Sequence, residues 1–186
     1  MTRILGISGS LREGSFNRAL LHAAADLAPA GCTLEVASIR SIPLYNADVE
    51  KSDGLPAVVS ALKEKIAAAD GLILATPEYN NSIPGVFKNA LDWLTRPPAD
   101  VPRLFNARPI ALCGASSGPS GTRLAQLAWL PILRTLGMRP WFGKTLAVGE
   151  ALKAFDDAGQ PRDEKLREQI RNFLAGFVRF VRPEIY

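Results

Sequence analysis

The sequence predicts a three-layer α/β/α sandwich in which helices cover both faces of a five-stranded parallel sheet. Short apolar runs of strand length recur along the chain, and segments with helical periodicity lie between them. This alternation is typical of βαβ units, whose parallel strands are buried on both faces. The chain has 186 residues, which is enough for a sizeable core in one domain.

Five apolar runs are the predicted strands, at residues 3–8, 33–39, 71–76, 109–114 and, more weakly, 140–148. Five helices are predicted at about residues 15–28, 56–69, 84–94, 121–136 and 163–180. The natural strand order for such a chain is 2-1-3-4-5, as in flavodoxin-like folds. The Pro-rich stretch at 96–102 is predicted to be a surface connection, because the segments on both sides need the same sheet. Residues 1–186 are therefore expected to form a single domain.

Composition disfavours several classes of protein. A hydrophobic content of 47% and a charged content of 22% are typical of soluble globular chains. No apolar run approaches the roughly 18 residues that would span a membrane, and the N-terminus lacks a signal-peptide pattern, so we expect a cytoplasmic protein without a membrane partner. The net charge is +4 with scattered Lys and Arg, which disfavours nucleic-acid binding but would attract anionic small molecules.

The few cysteine and histidine side chains disfavour a metal site. Cys32 and Cys113 lie in apolar, strand-like contexts, which indicates small buried residues in a reducing compartment. The single histidine, His22, falls on the face of the first helix that points away from its apolar residues, and we expect it to be exposed to solvent. One histidine without a cysteine cluster is a poor ligand set.

Residues 3–17 have the pattern of a phosphate-binding turn, with a buried strand, a loop of small and hydroxyl residues and a helix that begins at about residue 15. The first amides of a helix lack intrahelical partners and lie at the positive end of its dipole, so they attract anions. Nearby side chains could add donors, and Arg12 could add a bidentate charged one. The hydroxyl and amide candidates are Ser8, Ser10, Ser15 and Asn17.

Three phosphate-binding motifs compete for this loop. Gly9, Gly14 and Ser15 have part of the spacing of a P-loop, but the lysine of that motif is missing. The glycines do not fit the G-x-G-x-x-G fingerprint of dinucleotide binding. A monophosphate held by hydroxyls, amides and one arginine remains, with a ligand-free strand-to-helix turn as the alternative.

Two further loops follow the third and fourth predicted strands, and parallel pairing brings all three loops to one edge of the sheet. Pro77 fixes the chain and Tyr79 offers a stacking surface, while the amides of residues 78–80 could bind the carbonyls of a flat ring. The Gly/Ser-rich stretch 114–121 could approach a ligand closely and donate from its amides at 115–118 to ring atoms that gain negative charge. Each loop, taken alone, could instead be an ordinary turn.

These stretches together resemble a known family. Gly9-Ser-Leu-Arg-Glu-Gly-Ser-Phe-Asn17 is similar to the FMN-phosphate signature G-S-x-R-x-x-S-x-N of the NADPH-dependent FMN reductases, which are flavodoxin-like and include quinone, chromate and azo-dye reductases. Residues 76–80 and the helix that follows them resemble that family's isoalloxazine loop. The resemblance extends over essentially the whole chain, including residues 43–45 and 155–159.

The resemblance implies FMN as the cofactor, NADPH or NADH as the electron donor, and a homodimer or homotetramer with flavins near the interface. The residues it implies for the FMN phosphate are Ser10, Arg12, Ser15 and Asn17. Those it implies for the ring are Pro77, Glu78, Tyr79, Asn80, Ser116, Ser117 and Gly118. It demands no catalytic residue, because the flavin carries the chemistry.

The reaction that we expect is ping-pong. NAD(P)H passes a hydride to flavin N5 and leaves, and a small-molecule acceptor then takes the electrons: a quinone, a second flavin, an azo compound or a chromate-like oxidant. The alternative is a flavodoxin-type carrier that binds FMN without oxidising NAD(P)H. Such carriers are usually acidic, whereas this chain carries +4.

Overall fold

A parallel sheet forms the centre of the protein in a computed structural model that describes residues 1–182. The strand order is β2-β1-β3-β4-β5, and β6 also pairs with β4. The predicted fold class and strand order are confirmed, while residues 183–186 of the predicted domain lie outside the described residues. The strands are β1 (Thr2–Ser8), β2 (Cys32–Ser38), β3 (Gly71–Ala75), β4 (Pro109–Ala115), β5 (Arg139–Pro140) and β6 (Leu146–Val148).

The predicted fifth strand is split into the two short strands β5 and β6. Ile110 of β4 pairs with Pro140, whereas Cys113 pairs with Leu146, so the edge strand carries three more residues than a continuous register allows. Two features explain the break. Pro140 has no amide for the ladder, and the next side chain, Trp141, turns toward the final helix, where its ring lies 5.3 Å from that of Phe173.

All five predicted helices are present, together with short helices that the sequence did not reveal. The missed helices α2, α5 and α7 contain seven, five and four residues, too few for a clear helical period. The Pro-rich connection holds a 3-10 turn (Pro98–Asp100) and the start of α5. The helices are α1 (Phe16–Asp26), α2 (Ala47–Asp53), α3 (Ala57–Ala68), α4 (Gly85–Leu94), α5 (Val101–Phe105), α6 (Arg123–Thr135), α7 (Ala151–Ala154) and α8 (Glu164–Val181). Across residues 1–182, none of these helices has the length and apolar character needed to cross a membrane.

The sheet separates two apolar cores. Ile4 belongs to the core beneath α1 and α8, whereas its neighbour Leu5 belongs to the core beneath α3, α4 and α6, because successive side chains of a strand point to opposite faces. Cys32 and Cys113 are buried free thiols and His22 is exposed, as expected. Burial disfavours the thiolate and raises the pKa of Cys113 to about 12.

Gly114 permits a close approach of three segments at the carboxyl end of β4. A Cβ atom built on this residue would lie 2.1 Å from Thr122 Oγ1 and 2.3 Å from the carbonyl oxygen of Thr76. Both distances are far inside van der Waals contact. The loops that follow β3 and β4 can therefore pack together only because this position has no side chain.

We predict that Gly114→Ala lowers the free energy of unfolding by about 2–3 kcal/mol. The added methyl group would clash with the Thr122 side chain and with the backbone carbonyl of Thr76, which cannot move aside easily. Urea denaturation of the cofactor-free protein measures this change. Gly85→Ala is the matched control: Gly85 is exposed at the start of α4, and within residues 1–182 an added Cβ meets no atom inside 4 Å. The control is expected to be neutral or slightly stabilising. Equal effects of the two substitutions would contradict the packing account.

Candidate functional site

Three loops follow the carboxyl ends of the adjacent strands β1, β3 and β4. We call residues 9–15 the first loop, 76–84 the second loop and 116–122 the third loop. Backbone hydrogen bonds extend the sheet into each of them: Gly9 donates to the carbonyl of Ala75 at 2.9 Å, and Thr76 to that of Cys113 at 2.9 Å. The Ser116 amide donates to Val148 at 3.0 Å. The predicted convergence of the three loops at one edge is confirmed.

The first loop leads into α1 through a capped helix start. Ser15 is the N-cap, and its buried hydroxyl accepts a hydrogen bond from the Arg18 amide at 3.3 Å. The Ser10 hydroxyl accepts one from the Arg12 amide, also at 3.3 Å. Gly9 passes so close to α4 that an added Cβ would lie 2.0 Å from the Phe87 ring. The chain turns tightly here and leaves the first amides of α1 at the edge of the sheet.

Three arginines surround this loop, of which the sequence interpretation found only Arg12. Arg40, in the connection after β2, donates from Nη2 to the Leu11 carbonyl at 3.0 Å, and Arg18 donates from Nη2 to the Glu13 carbonyl. Arg12 itself is exposed and forms no salt bridge within residues 1–182. The position of Arg40 just after a strand that neighbours β1 was the signal that could have identified it.

Asn17 is buried in the second position of α1 rather than open to the edge. Its Nδ2 donates to the Ala115 carbonyl at 2.9 Å, and its Oδ1 accepts from the Ala115 amide at 2.9 Å. The Asn17 side chain therefore links α1 to the end of β4, whereas Ser10, Arg12 and Ser15 belong to the first loop itself.

The second loop presents Tyr79 on a tight turn. Tyr79 and Ser82 exchange backbone hydrogen bonds of 3.2 and 3.0 Å, and the intervening Asn80 and Asn81 have φ angles of 51° and 60°. Two consecutive positive φ angles are typical of a type I′ turn, which asparagine tolerates better than most residues. Tyr79 is 51% exposed. Its ring is therefore available for stacking, while its amide is used by the turn.

Glu78 connects the second loop to α6. Its Oε2 accepts a hydrogen bond of 2.9 Å from the Ala125 amide, which lies in the first turn of that helix. A carboxylate at a helix N-terminus satisfies an unpaired donor and interacts favourably with the helix dipole. Pro77, just before it, is buried. Glu78 thus caps a helix 47 residues further along the chain.

The third loop is held mainly by its own backbone and by the segment after β6. The Ser116 hydroxyl donates to the Gly121 carbonyl at 2.8 Å, and the Gly118 carbonyl accepts from the Glu150 amide at 3.0 Å. Ser117 and Gly118 are exposed, whereas Ser116 is half-buried. The exposed part of this loop faces solvent at the same edge as Tyr79.

The connection between β2 and α2 is held on α4 beside the second loop. The Tyr45 amide donates to Asn89 Oδ1 at 2.8 Å, and Trp93 Nε1 donates to the Pro43 carbonyl at 2.9 Å. Glu50 accepts hydrogen bonds from the Tyr45 hydroxyl and from Arg96 Nε, each at 2.9 Å. Burial disfavours its charged form, but the hydrogen bonds from Arg96 and Tyr45 outweigh burial and lower the pKa of Glu50.

Residues 1–182 contain no group of three or more His, Cys, Asp and Glu side chains placed to hold a metal ion. The groups that the three loops offer are amides, hydroxyls, arginine and an exposed aromatic ring, which suit an organic phosphate with a flat ring.

The strand order and the loops at its switch point define a protein of the flavodoxin-like class. The family model of the NADPH-dependent FMN reductases matches residues 2–153. The chain belongs to this family, which is a family of oxidoreductases named for FMN as the flavin and NADPH as the electron donor.

Relatives of known name resemble the chain over nearly its whole length. An NAD(P)H-dependent FMN reductase of Pseudomonas aeruginosa is 44% identical over 180 residues, which cover 97% of this chain and 95% of that protein. A 2-hydroxy-1,4-benzoquinone reductase of a Burkholderia species is 36% identical, with coverage of 97% and 96%. Among solved structures, the NAD(P)H:acceptor oxidoreductase FerB of Paracoccus denitrificans matches with a TM-score of 0.85 at 30% identity, over 97% of both chains.

The contact between Glu78 and α6 gives a stability prediction. Glu78→Ala leaves the Ala125 amide without its acceptor and is expected to lower the free energy of unfolding by about 1 kcal/mol, the usual cost of losing a helix cap. Glu78→Gln keeps an oxygen acceptor of the same reach and is expected to lose less than half as much. Urea denaturation of the cofactor-free variants measures both. Equal losses, or none with alanine, would show that the capping contact does not stabilise α6.

Proposed function

We propose that the protein is an FMN-dependent NAD(P)H oxidoreductase that reduces small-molecule acceptors such as quinones. The observation that carries the proposal is the capped N-terminus of α1, with Arg12 beside it, at the same edge of the sheet as the exposed ring of Tyr79. The names of the relatives support it, since they include an FMN reductase and a benzoquinone reductase.

The first loop fits a phosphate group. We assign the phosphate to the amides at the start of α1, the hydroxyls of Ser10 and Ser15, and the Arg12 guanidinium. Two observations support this fit. Arg12 forms no salt bridge within residues 1–182, and the buried Ser8 hydroxyl at the end of β1 has no hydrogen-bond partner there. Asn17 lies in the first turn of α1 beside this half of the site, and its side chain is hydrogen-bonded to Ala115 at the end of β4.

The second and third loops fit the flat ring system of FMN. We assign one side of the ring to the second loop, where Tyr79 supplies a stacking surface, and the pyrimidine side to the third loop. The second-loop residues in this assignment are Pro77, Glu78, Tyr79 and Asn80. The third-loop residues are Ser116, Ser117 and Gly118. The Tyr79 amide and the Ser116 hydroxyl already donate hydrogen bonds within the protein. The polar contacts to the ring would therefore come from the other backbone N–H groups of these loops.

FMN, when bound, supplies the redox chemistry, by accepting a hydride from NAD(P)H at N5 and giving up the electrons to a second substrate. The residues of the three loops would bind and orient the flavin. If NAD(P)H and the acceptor used the same exposed part of this site in turn, the reaction would follow a ping-pong order. Quinones are the acceptor class that we favour, with flavins, azo compounds and chromate-like oxidants as further candidates.

The rival proposal, a flavodoxin-type carrier, binds the same cofactor without oxidising NAD(P)H. Membership of a reductase family and the net charge of +4 both favour the enzyme. Mixing the FMN-loaded protein with NADPH under anaerobic conditions separates the two. Direct two-electron bleaching of the flavin supports the enzyme, and an unchanged flavin spectrum supports the carrier.

We further propose that the enzyme is a homodimer or homotetramer that works in the cytoplasm. Exposed apolar side chains flank the site in the first loop, the second loop and the neighbouring connection: Leu11, Tyr79 and Leu44, the last of which is 81% exposed. Burial of such side chains between subunits is a common reason for their exposure in one chain. The buried free thiols of Cys32 and Cys113 fit a reducing compartment.

Removal of the charged phosphate contact gives the first functional prediction. Arg12→Ala is expected to weaken FMN binding by about ten- to a hundredfold, which corresponds to the loss of one charge-assisted hydrogen bond. Quenching of flavin fluorescence on titration with the protein measures the dissociation constant. Arg134→Ala, an exposed arginine in the last turn of α6, is the matched control and is expected to bind FMN normally. Unchanged affinity of the Arg12 variant would refute this phosphate assignment.

Steady-state kinetics test the order of reaction. With NADPH and a benzoquinone as variable substrates, we expect parallel lines in double-reciprocal plots, because each substrate meets the enzyme in a different oxidation state. Converging lines would contradict the ping-pong order.

The ratio of kcat/KM for NADPH to that for NADH, measured in the same assay, is expected to exceed one, and a preference for NADH would refute the assigned donor.

A further inference from the structure

A buried pair of hydrogen bonds joins the two halves of the candidate site. Asn17 is 4% exposed, and both polar atoms of its side chain pair with the backbone of one residue, Ala115, at 2.9 Å each. The two residues are 98 positions apart in the sequence. An amide side chain that binds both the N–H and the C=O of one peptide residue imitates a strand partner and fixes both distance and orientation.

The two ends of this link lie at functionally different places. Asn17 follows the N-cap Ser15 by two residues and is therefore part of the first turn of α1, where the phosphate is assigned. Ala115 is the last residue of β4 and directly precedes the third loop, where the pyrimidine side of the ring is assigned. The link therefore spans the distance between the phosphate half and the ring half of the site.

The geometry argues against the simpler role of a direct phosphate ligand. The Asn17 oxygen receives the Ala115 amide hydrogen, and the Asn17 nitrogen faces the Ala115 carbonyl. A second N–H of the Asn17 amide remains, but the side chain is buried and oriented by Ala115, so the phosphate contacts are assigned to Ser10, Arg12 and Ser15. Breaking the link would leave a buried peptide amide and carbonyl without partners, so the end of β4 would shift relative to α1.

We propose that Asn17 is a positioning residue, which sets the third loop at the correct separation from the N-terminus of α1 so that phosphate and ring bind together. This inference rests on the proposed FMN site. It predicts that the loss of Asn17 weakens binding of the ring itself, even in a flavin that carries no phosphate.

Riboflavin, which lacks the phosphate of FMN, provides the test. Asn17→Ala is expected to weaken FMN and riboflavin binding by a similar factor, about tenfold, as measured by quenching of flavin fluorescence. Arg12→Ala is the matched comparison, because it removes a phosphate contact and is expected to weaken FMN while riboflavin binding is unchanged. An Asn17→Ala protein that loses affinity for FMN alone would overturn the proposal and make Asn17 a phosphate ligand.

Asn17→Asp keeps the shape of the side chain and guards against a general loss of structure in the alanine variant. The ionised aspartate can accept from the Ala115 amide but cannot donate to the Ala115 carbonyl. Protonation restores that donor, so riboflavin affinity of Asn17→Asp is expected to rise as the pH falls from 8 to 5, toward the wild-type value. Wild-type affinity for riboflavin is expected to be constant over this range. A flat pH profile for the aspartate variant would overturn the proposal.

Failure of the proposed function gives a different result. A folded wild-type protein that binds neither FMN nor riboflavin would refute the flavin site and the positioning role together. A wild-type protein that binds FMN but shows no affinity for riboflavin would leave the flavin site standing. It would contradict the positioning role alone, because the ring half would then contribute nothing to binding.

Discussion

Burial of the central strands on both faces is the constraint on which the site depends. All five residues of β3 are buried, and six of the seven residues of both β1 and β4 are buried. Such strands leave little room for polar side chains that act on a ligand, so the polar groups lie at the strand ends, as Ser8 does, and in the loops that follow them. Parallel pairing then brings these loops to one edge, where the amides of α1, the ring of Tyr79 and the third loop meet.

Hydrogen bonds from distant parts of the chain hold each loop in place. Arg40 binds the first loop, Glu78 joins the second loop to α6, and Asn17 joins α1 to β4 ahead of the third loop. Loops fixed in this way keep their donors in position before a ligand arrives, so less conformational entropy is lost on binding. A flavin enzyme of the proposed kind benefits directly, since the cofactor supplies the reactivity and the protein supplies its orientation.

Sequence patterns predicted the architecture well because that architecture follows from local rules. The apolar runs of β1 to β4 were placed to within one or two residues, since buried strands need continuous apolar side chains. The fifth strand was predicted as one piece, because its interruption depends on how Trp141 packs against α8. The helices α2, α5 and α7 were missed because they are too short to show a period.

The site was predictable as a set of loops but not as a set of contacts. Gly9, Ser15 and Tyr79 stand out in the sequence because turns, caps and exposed rings have local signatures. The partners of Glu78 and Asn17 lie 47 and 98 residues away, and no local pattern reports such a distance. Tertiary packing alone shows that these two side chains hold the loops together.

A crystal structure of the protein with bound FMN is the decisive experiment. We expect the phosphate to lie on the amides at the start of α1, within hydrogen-bonding reach of Ser15 and Arg12, with the ring extending along the second and third loops. A phosphate bound anywhere else on the protein, or an edge closed to the flavin by its own side chains, would contradict it.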